Sequence, residues 1–94
     1  MKTYELLYII DSTVADDKKE EIITKVKAIV EENGGKAGEI DKWGVRKYAY
    51  PIDYKTEGYY VLMSFEAPAT VPQMLESQML IMEGVVRHMV TFKN

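Results

Sequence analysis

From Trp43 to Lys55 the chain interleaves cations with aromatic rings: Trp43, Arg46, Lys47, Tyr48, Tyr50, Tyr54 and Lys55 share one short segment. Arginine offers phosphate a planar fork, and tyrosine offers a flat face on which a base or a guanidinium stacks. That chemistry is binding, and a polyanion is its natural object. Residue types alone leave a second reading open, because lysine and arginine on an exposed strand also keep that edge from pairing with other chains.

Nothing else in the sequence assembles a reaction centre. The 94 residues hold no cysteine and a single histidine, His88. That excludes disulfides, thiolate zinc sites, cysteine nucleophiles and histidine metal clusters. No nucleophile elbow, Walker loop or dinucleotide fingerprint is present. Gly34-Gly35 follows a helix instead of opening one, so it ends that helix and does not cradle a phosphate. Asp16, Asp17, Glu20 and Glu21 lack the alternating pattern of a cation loop and suit the positive end of a helix. His88 has no neighbouring partner for acid–base work, and Met74, Met79 and Met82, at helical spacing, read as core filler. The expectation is no catalytic residue, no metal, no cofactor and no small-molecule substrate.

Charge gives the binding reading a location. Twelve basic and fifteen acidic residues leave a net charge of −3, which argues against sequence-blind binding of nucleic acid over the whole surface. Yet Lys36 to Lys55 carries five basic residues against three acidic ones. A field of that kind acts locally, within about 10 Å at ordinary salt. No apolar run approaches the roughly 18 residues of a membrane span, and the start lacks the small-residue exit of a cleavable signal. One domain over residues 1–94, soluble and intracellular, with no membrane partner, is expected.

The elements that must position these residues follow from periodicity. Lys2 to Ile10 alternates, with apolar residues on both sides, as in a central strand. Asp16 to Asn33 has the period of a helix, with a stripe of Ile22, Val26, Ile29 and Val30. Lys36 to Ile52 is long for one strand, which predicts a bend or bulge near Gly38 or Gly44. Asp53 to Gly58 reads as a loop and Tyr59 to Ala67 as the strand that completes a hairpin. Thr70-Val71-Pro72-Gln73 reads as a capped helix start, with Val71, Leu75, Gln78 or Met79, and Met82 as its buried stripe. After Gly84, Val85 to Lys93 is the last strand, with Val86, His88, Val90 and Phe92 facing the helices.

The order βαββαβ predicts an α+β, ferredoxin-like sandwich: a four-stranded antiparallel sheet with both helices on one face. The other face is then bare. Alternation puts Thr3, Glu5, Leu7, Ile9, Tyr60, Leu62, Ser64, Arg87, Met89, Thr91 and Lys93 on it. Leu7, Ile9, Leu62 and Met89 would form an apolar patch there, the mark of a partner site.

Trp43-Gly44-Val45-Arg46-Lys47-Tyr48-Ala49-Tyr50-Pro51-Ile52, then Gly58-Tyr59-Tyr60-Val61-Leu62-Met63, Glu66-Ala67-Pro68 and Val86-Arg87-His88-Met89-Val90, closely resemble the bacterial ribosomal protein S6 family of the small subunit. The likeness runs from about Lys2 to Lys93. It implies a ferredoxin-like RNA-binding protein of the cytoplasmic ribosome without enzymatic activity. It also implies pairing with ribosomal protein S18, the pair joining the central domain of the small-subunit ribosomal RNA. Arg46 and Tyr50 match the family's hairpin motif and Arg87 its last-strand motif, while Lys2 and Lys93 hold basic positions at strand ends. At Val45 and Lys47 relatives often carry other combinations of Leu, Arg and Gln. Some relatives extend into a long, often acidic tail, whose role is expected to be absent from a sequence that stops at Asn94.

Taken with the physical reading, the expected RNA contacts are Lys2, Arg46, Lys47, Tyr50, Lys55, Arg87 and Lys93. The expected protein-partner contacts are Leu7, Tyr60, Leu62 and Met89. The sheet lacks the aromatic RNP1 pattern, so stacking of bases across its centre is not expected. An alternative in another class is a homodimeric ferredoxin-like ligand-binding or regulatory module, which a tight homodimer at micromolar concentration would favour. Small acyl-phosphate hydrolases share the topology, but Ile10 to Thr13 offers no phosphate loop.

Overall fold

The computed structural model describes residues 2–52 and 55–93, with the side chains of 48–56 left out of the description. Its elements are β1 (Lys2–Asp11), α1 (Asp16–Glu32), β2 (Lys36–Ile52), β3 (Lys55–Ala67), α2 (Val71–Leu80) and β4 (Val85–Phe92). The strands form one sheet in the order β2-β3-β1-β4, and every neighbouring pair is antiparallel. This is the ferredoxin-like βαββαβ arrangement that the periodicity predicts.

Parity builds the core. Tyr4, Leu6, Tyr8 and Ile10 of β1 and Val61, Met63, Phe65 and Ala67 of β3 are buried in one cluster with residues of both helices. From α1 the cluster takes Ile22, Ile23, Val26, Ile29 and Val30; from α2 it takes Val71, Leu75 and Met79. Each such side chain contributes about 1.5–3 kcal/mol when fully withdrawn from water. Met74 stays 37% exposed, so it is not core filler: it faces away from the stripe that Val71, Leu75 and Met79 form.

The exit from α1 shows local chemistry fixing a boundary. Gly35 N–H donates to Val30 O at 2.9 Å and Gly34 N–H to Glu31 O at 3.4 Å, the paired bonds that close a helix on a left-handed residue. Gly34 supplies that residue with φ +89°. A Cβ on Gly35 would come within 2.7 Å of Val30 Cγ1, so neither glycine is replaceable at low cost.

Three expectations are corrected. The stretch Asp53 to Gly58 is not wholly a loop, because Arg46, Lys47 and Ile52 pair with Gly58, Glu57 and Lys55. Ladder bonds run between backbone groups, so alternation of side-chain types alone does not detect them. Thr70 stands at the N-cap with no side-chain cap bond, its backbone already helical at φ −83°, ψ −19°. The second helical residue is Pro72, which has no N–H to cap. In β4 a register shift sets Val85 opposite Ile10; Val85 and Val90 pack against the core, where strict alternation had named Val86.

Buried polar groups carry a stability prediction. Tyr8 Oη is buried without a hydrogen-bond partner among the described residues, and burial, followed by the charges of Tyr59 and Glu20, pushes its phenol well above the ordinary tyrosine range. In the unfolded chain the phenol ionises near pH 10. A group whose folded pKa is raised stabilises fully below its unfolded pKa and loses that contribution as pH rises above it. Stability therefore falls as pH rises above about 10, and Tyr8→Phe flattens that fall. At pH 7 the same change removes an unsatisfied hydroxyl and raises stability by about 1 kcal/mol. Urea unfolding at pH 7 and pH 11 measures both; an unchanged alkaline slope contradicts the assignment.

Candidate nucleic-acid and partner interface

The sheet face away from the helices holds most of the predicted site. In register, Leu7 of β1 stands between Leu62 of β3 and Met89 of β4, so these three make one apolar row across the sheet. Leu7 and Leu62 are half-buried, and Met89 is 58% exposed. The next row is Tyr60, Ile9 and Arg87. Ile9 is only 7% exposed, a correction to its expected place in the apolar patch: it is flanked by Tyr60 and Arg87, whose long side chains border it on both sides.

β2 is an edge strand, and its pairing with β3 slips between Ala37 and Ile40, between Lys42 and Gly44, and between Lys47 and Ile52. The first two slips lie where the glycines predict irregularity; the third has no glycine to mark it. Gly44 takes φ +82° with nothing within 4 Å of a built Cβ, so the backbone conformation and not crowding calls for glycine there. The second slip brings Trp43 alongside Tyr60, the rings near parallel at 8° with centroids 6.2 Å apart. Trp43 Nε1 donates to Asp41 Oδ2 at 3.1 Å, and Arg46 Nε donates to Trp43 O at 3.3 Å. Asp41, Lys42, Trp43, Arg46, Lys47 and Tyr60 line a shallow hollow of about 630 Å³.

The predicted cations do not form one patch. Arg46 pairs with Gly58 and Lys47 with Glu57, and both border the hollow beside Trp43. Arg87, exposed on β4, lies three strand spacings from β2, roughly 15 Å. Lys93 lies six residues beyond Arg87, roughly 20 Å along the strand. Its ammonium contacts Glu5 Oε2 at 3.3 Å, and Lys2 Nζ lies 5.4 Å from the Phe92 ring centroid. The side chains of Tyr50 and Lys55 lie outside the description.

Elsewhere three carboxylates of α1 are engaged with lysines. Lys18 contacts Glu21 at 3.3 Å, Lys19 contacts Asp16 at 3.4 Å, and Lys42 of β2 contacts Glu20 at 2.6 Å. The hydrogen bond to Glu20, more than the opposing desolvation, holds the Lys42 ammonium above the ordinary lysine range. Lys42 is thus turned toward α1, and its charge is committed there. Sequence reasoning missed Lys19, which is 8% exposed and lies 5.2 Å from the Tyr59 ring centroid; a lysine in an acidic first turn carries no signal of burial. It also missed the stacking of Trp43 on Tyr60, which depends on the register slip. His88 faces Tyr8 across β1 and β4, on the helix side as predicted. Among the described residues no helix is long and apolar enough to cross a membrane.

Comparison with known proteins gives a consistent result. A family model described as "Ribosomal protein S6" matches residues 3–91. The chain is 44% identical over 90 residues to the small ribosomal subunit protein bS6 of Fusobacterium nucleatum, covering 96% of each chain. It is 41% identical to the bS6 protein of Thermoanaerobacter pseudethanolicus, covering 96% of this chain and 95% of that one. The crystal structure of 30S ribosomal protein S6 from Thermotoga maritima superposes with a TM-score of 0.93 at 29% identity, covering 98% of this chain and 87% of that one.

Proposed function

The chain belongs to the ribosomal protein S6 family, and from that premise we propose that it joins the central domain of the small-subunit ribosomal RNA as half of a heterodimer with ribosomal protein S18. It is a structural protein of the small ribosomal subunit and not an enzyme, in keeping with the names its relatives carry. Ribosomal RNA is its partner and the cytoplasmic ribosome its location. Residues 1–94 act as one domain.

The observation that carries the heterodimer is the sheet face itself. Leu7, Leu62 and Met89 form an apolar row on a body of net charge −3. Affinity for RNA rests mainly on neutralised phosphates, and this chain is acidic overall, with Lys18, Lys19, Lys42 and Lys93 already paired to its own carboxylates. A basic protein seated on the apolar row buries Leu62 and Met89 and supplies the missing positive field. Lys2, Arg46, Lys47, Tyr50, Lys55, Arg87 and Lys93 then add phosphate and sugar contacts around it. Lys93 does so in competition with Glu5.

Arg87 is the most direct of these to test, being exposed at the border of the row. Each phosphate contact contributes about one unit to the dependence of log affinity on log salt. Arg87→Ala lowers that slope by about one for the heterodimer; an unchanged slope removes Arg87 from the contacts. The function as a whole is tested by reconstitution. Small-subunit particles assembled without their own S6 take up one copy of this chain, and only when S18 is present. Uptake without S18 contradicts the obligatory pair, and no uptake at all contradicts the function.

A further inference from the structure

We propose that Trp43 is a stacking platform for an unpaired nucleobase of the ribosomal RNA, with Arg46 and Lys47 holding the phosphates beside it. The inference rests on the RNA-binding reading above and adds a residue and a mode of contact to it.

Trp43 is 40% exposed on an edge strand, an unusual place for a large apolar ring, yet its plane is fixed. Tyr60 lies parallel to it, at 8° and 6.2 Å between centroids. Asp41 accepts from its Nε1 at 3.1 Å. These two contacts hold the indole from two directions, and a ring held in place loses little freedom when a base stacks on it. The irregular pairing between Lys42 and Gly44 is what brings the ring there, and the positive φ of Gly44 permits it. The platform thus sits at the sheet's edge, not at the centre, where the sequence pattern argues against stacking.

Charge decides between the two flat groups that an indole can take. The hollow beside Trp43 is lined by Lys42, Arg46 and Lys47 against the single carboxylate of Asp41. With Lys42 held by Glu20, the remaining balance is still cationic. A guanidinium from a protein partner would enter against Arg46 and Lys47, whereas a nucleotide brings the phosphate that they attract. Arg46 uses Nε on the Trp43 carbonyl at 3.3 Å, one of the five donors a guanidinium has. A hollow of about 630 Å³ has room for a nucleoside.

Trp43 is the chain's one tryptophan, so its emission reports on the platform directly. Titrating the chain alone with a short single-stranded RNA at low salt quenches that emission, while inorganic phosphate at the same ionic strength does not. For the heterodimer with S18 on a central-domain RNA fragment, Trp43→Leu weakens binding about 5- to 100-fold with an unchanged salt slope, as loss of one stacked base requires. Trp43→Phe, which keeps a flat ring, stays within about 3-fold of the unsubstituted chain. Affinity for S18 without RNA is the same in all three. Unquenched emission, or RNA binding by the Leu variant as tight as the original, overturns the platform while leaving RNA binding intact. Loss of S18 affinity in the Leu variant overturns it in favour of a protein contact. If the unsubstituted heterodimer itself fails to hold the fragment, the RNA-binding reading fails, and the quenching on the chain alone still decides the platform.

Discussion

Met89→Asp weakens the chain's affinity for ribosomal protein S18 by at least about 100-fold, because it leaves an unpaired carboxylate inside an apolar contact. Met89 is 58% exposed on an edge strand, so the isolated chain tolerates the change for less than about 1 kcal/mol. In the proposed complex the same position lies under the partner beside Leu7, its register neighbour and the middle of the row. Calorimetric titration of S18 into the two proteins measures the loss, and thermal unfolding confirms that the variant is folded. Binding within a few-fold of the original would move the partner off this row.

Phe65→Ala costs the isolated chain about 3–5 kcal/mol. Phe65 is 1% exposed and stacks on Tyr4, with centroids 5.5 Å apart at 26°. The truncation opens a cavity between sheet and helices that the surrounding rings cannot fill. A domain of this size has a stability of about 5–14 kcal/mol, so much of it goes, and the melting temperature drops by roughly 15–30 °C. Urea unfolding gives the number directly. A cost below about 1.5 kcal/mol would mean that the site collapses around the smaller residue and that the described packing is wrong.

The two substitutions separate what the sequence shows from what it hides. Phe65 and its neighbours are legible, because period-2 alternation in β1 and β3 and a 3.6 period in α1 assign a face to each residue. β2, the long second strand, was legible to its ends, and its two glycines marked two of its three irregularities, the shift between Lys47 and Ile52 having no such signal. The outcome of an irregularity was not legible. A slip in pairing decides whether Trp43 faces solvent or stacks on Tyr60, and one in β4 brings Val85 to the core. Ladder bonds at the hairpin end depend on backbone and not on side-chain type, so Lys55 to Gly58 read as loop. The site was legible as a set of residues but not as distances: Arg46, Arg87 and Lys93 occupy different parts of the sheet, and the contact between Lys93 and Glu5 joins residues 88 positions apart.

On the proposed function, RNA affinity belongs to the pair and not to this chain alone. A filter-binding titration on a central-domain ribosomal RNA fragment, at several salt concentrations and with or without purified S18, decides this. Tight binding that weakens steeply with salt and requires S18 is the predicted result. Equally tight binding by the chain alone would contradict the shared site. No binding in either case, with the RNA folded, would leave a family fold without the proposed role and make a homodimeric module the better reading.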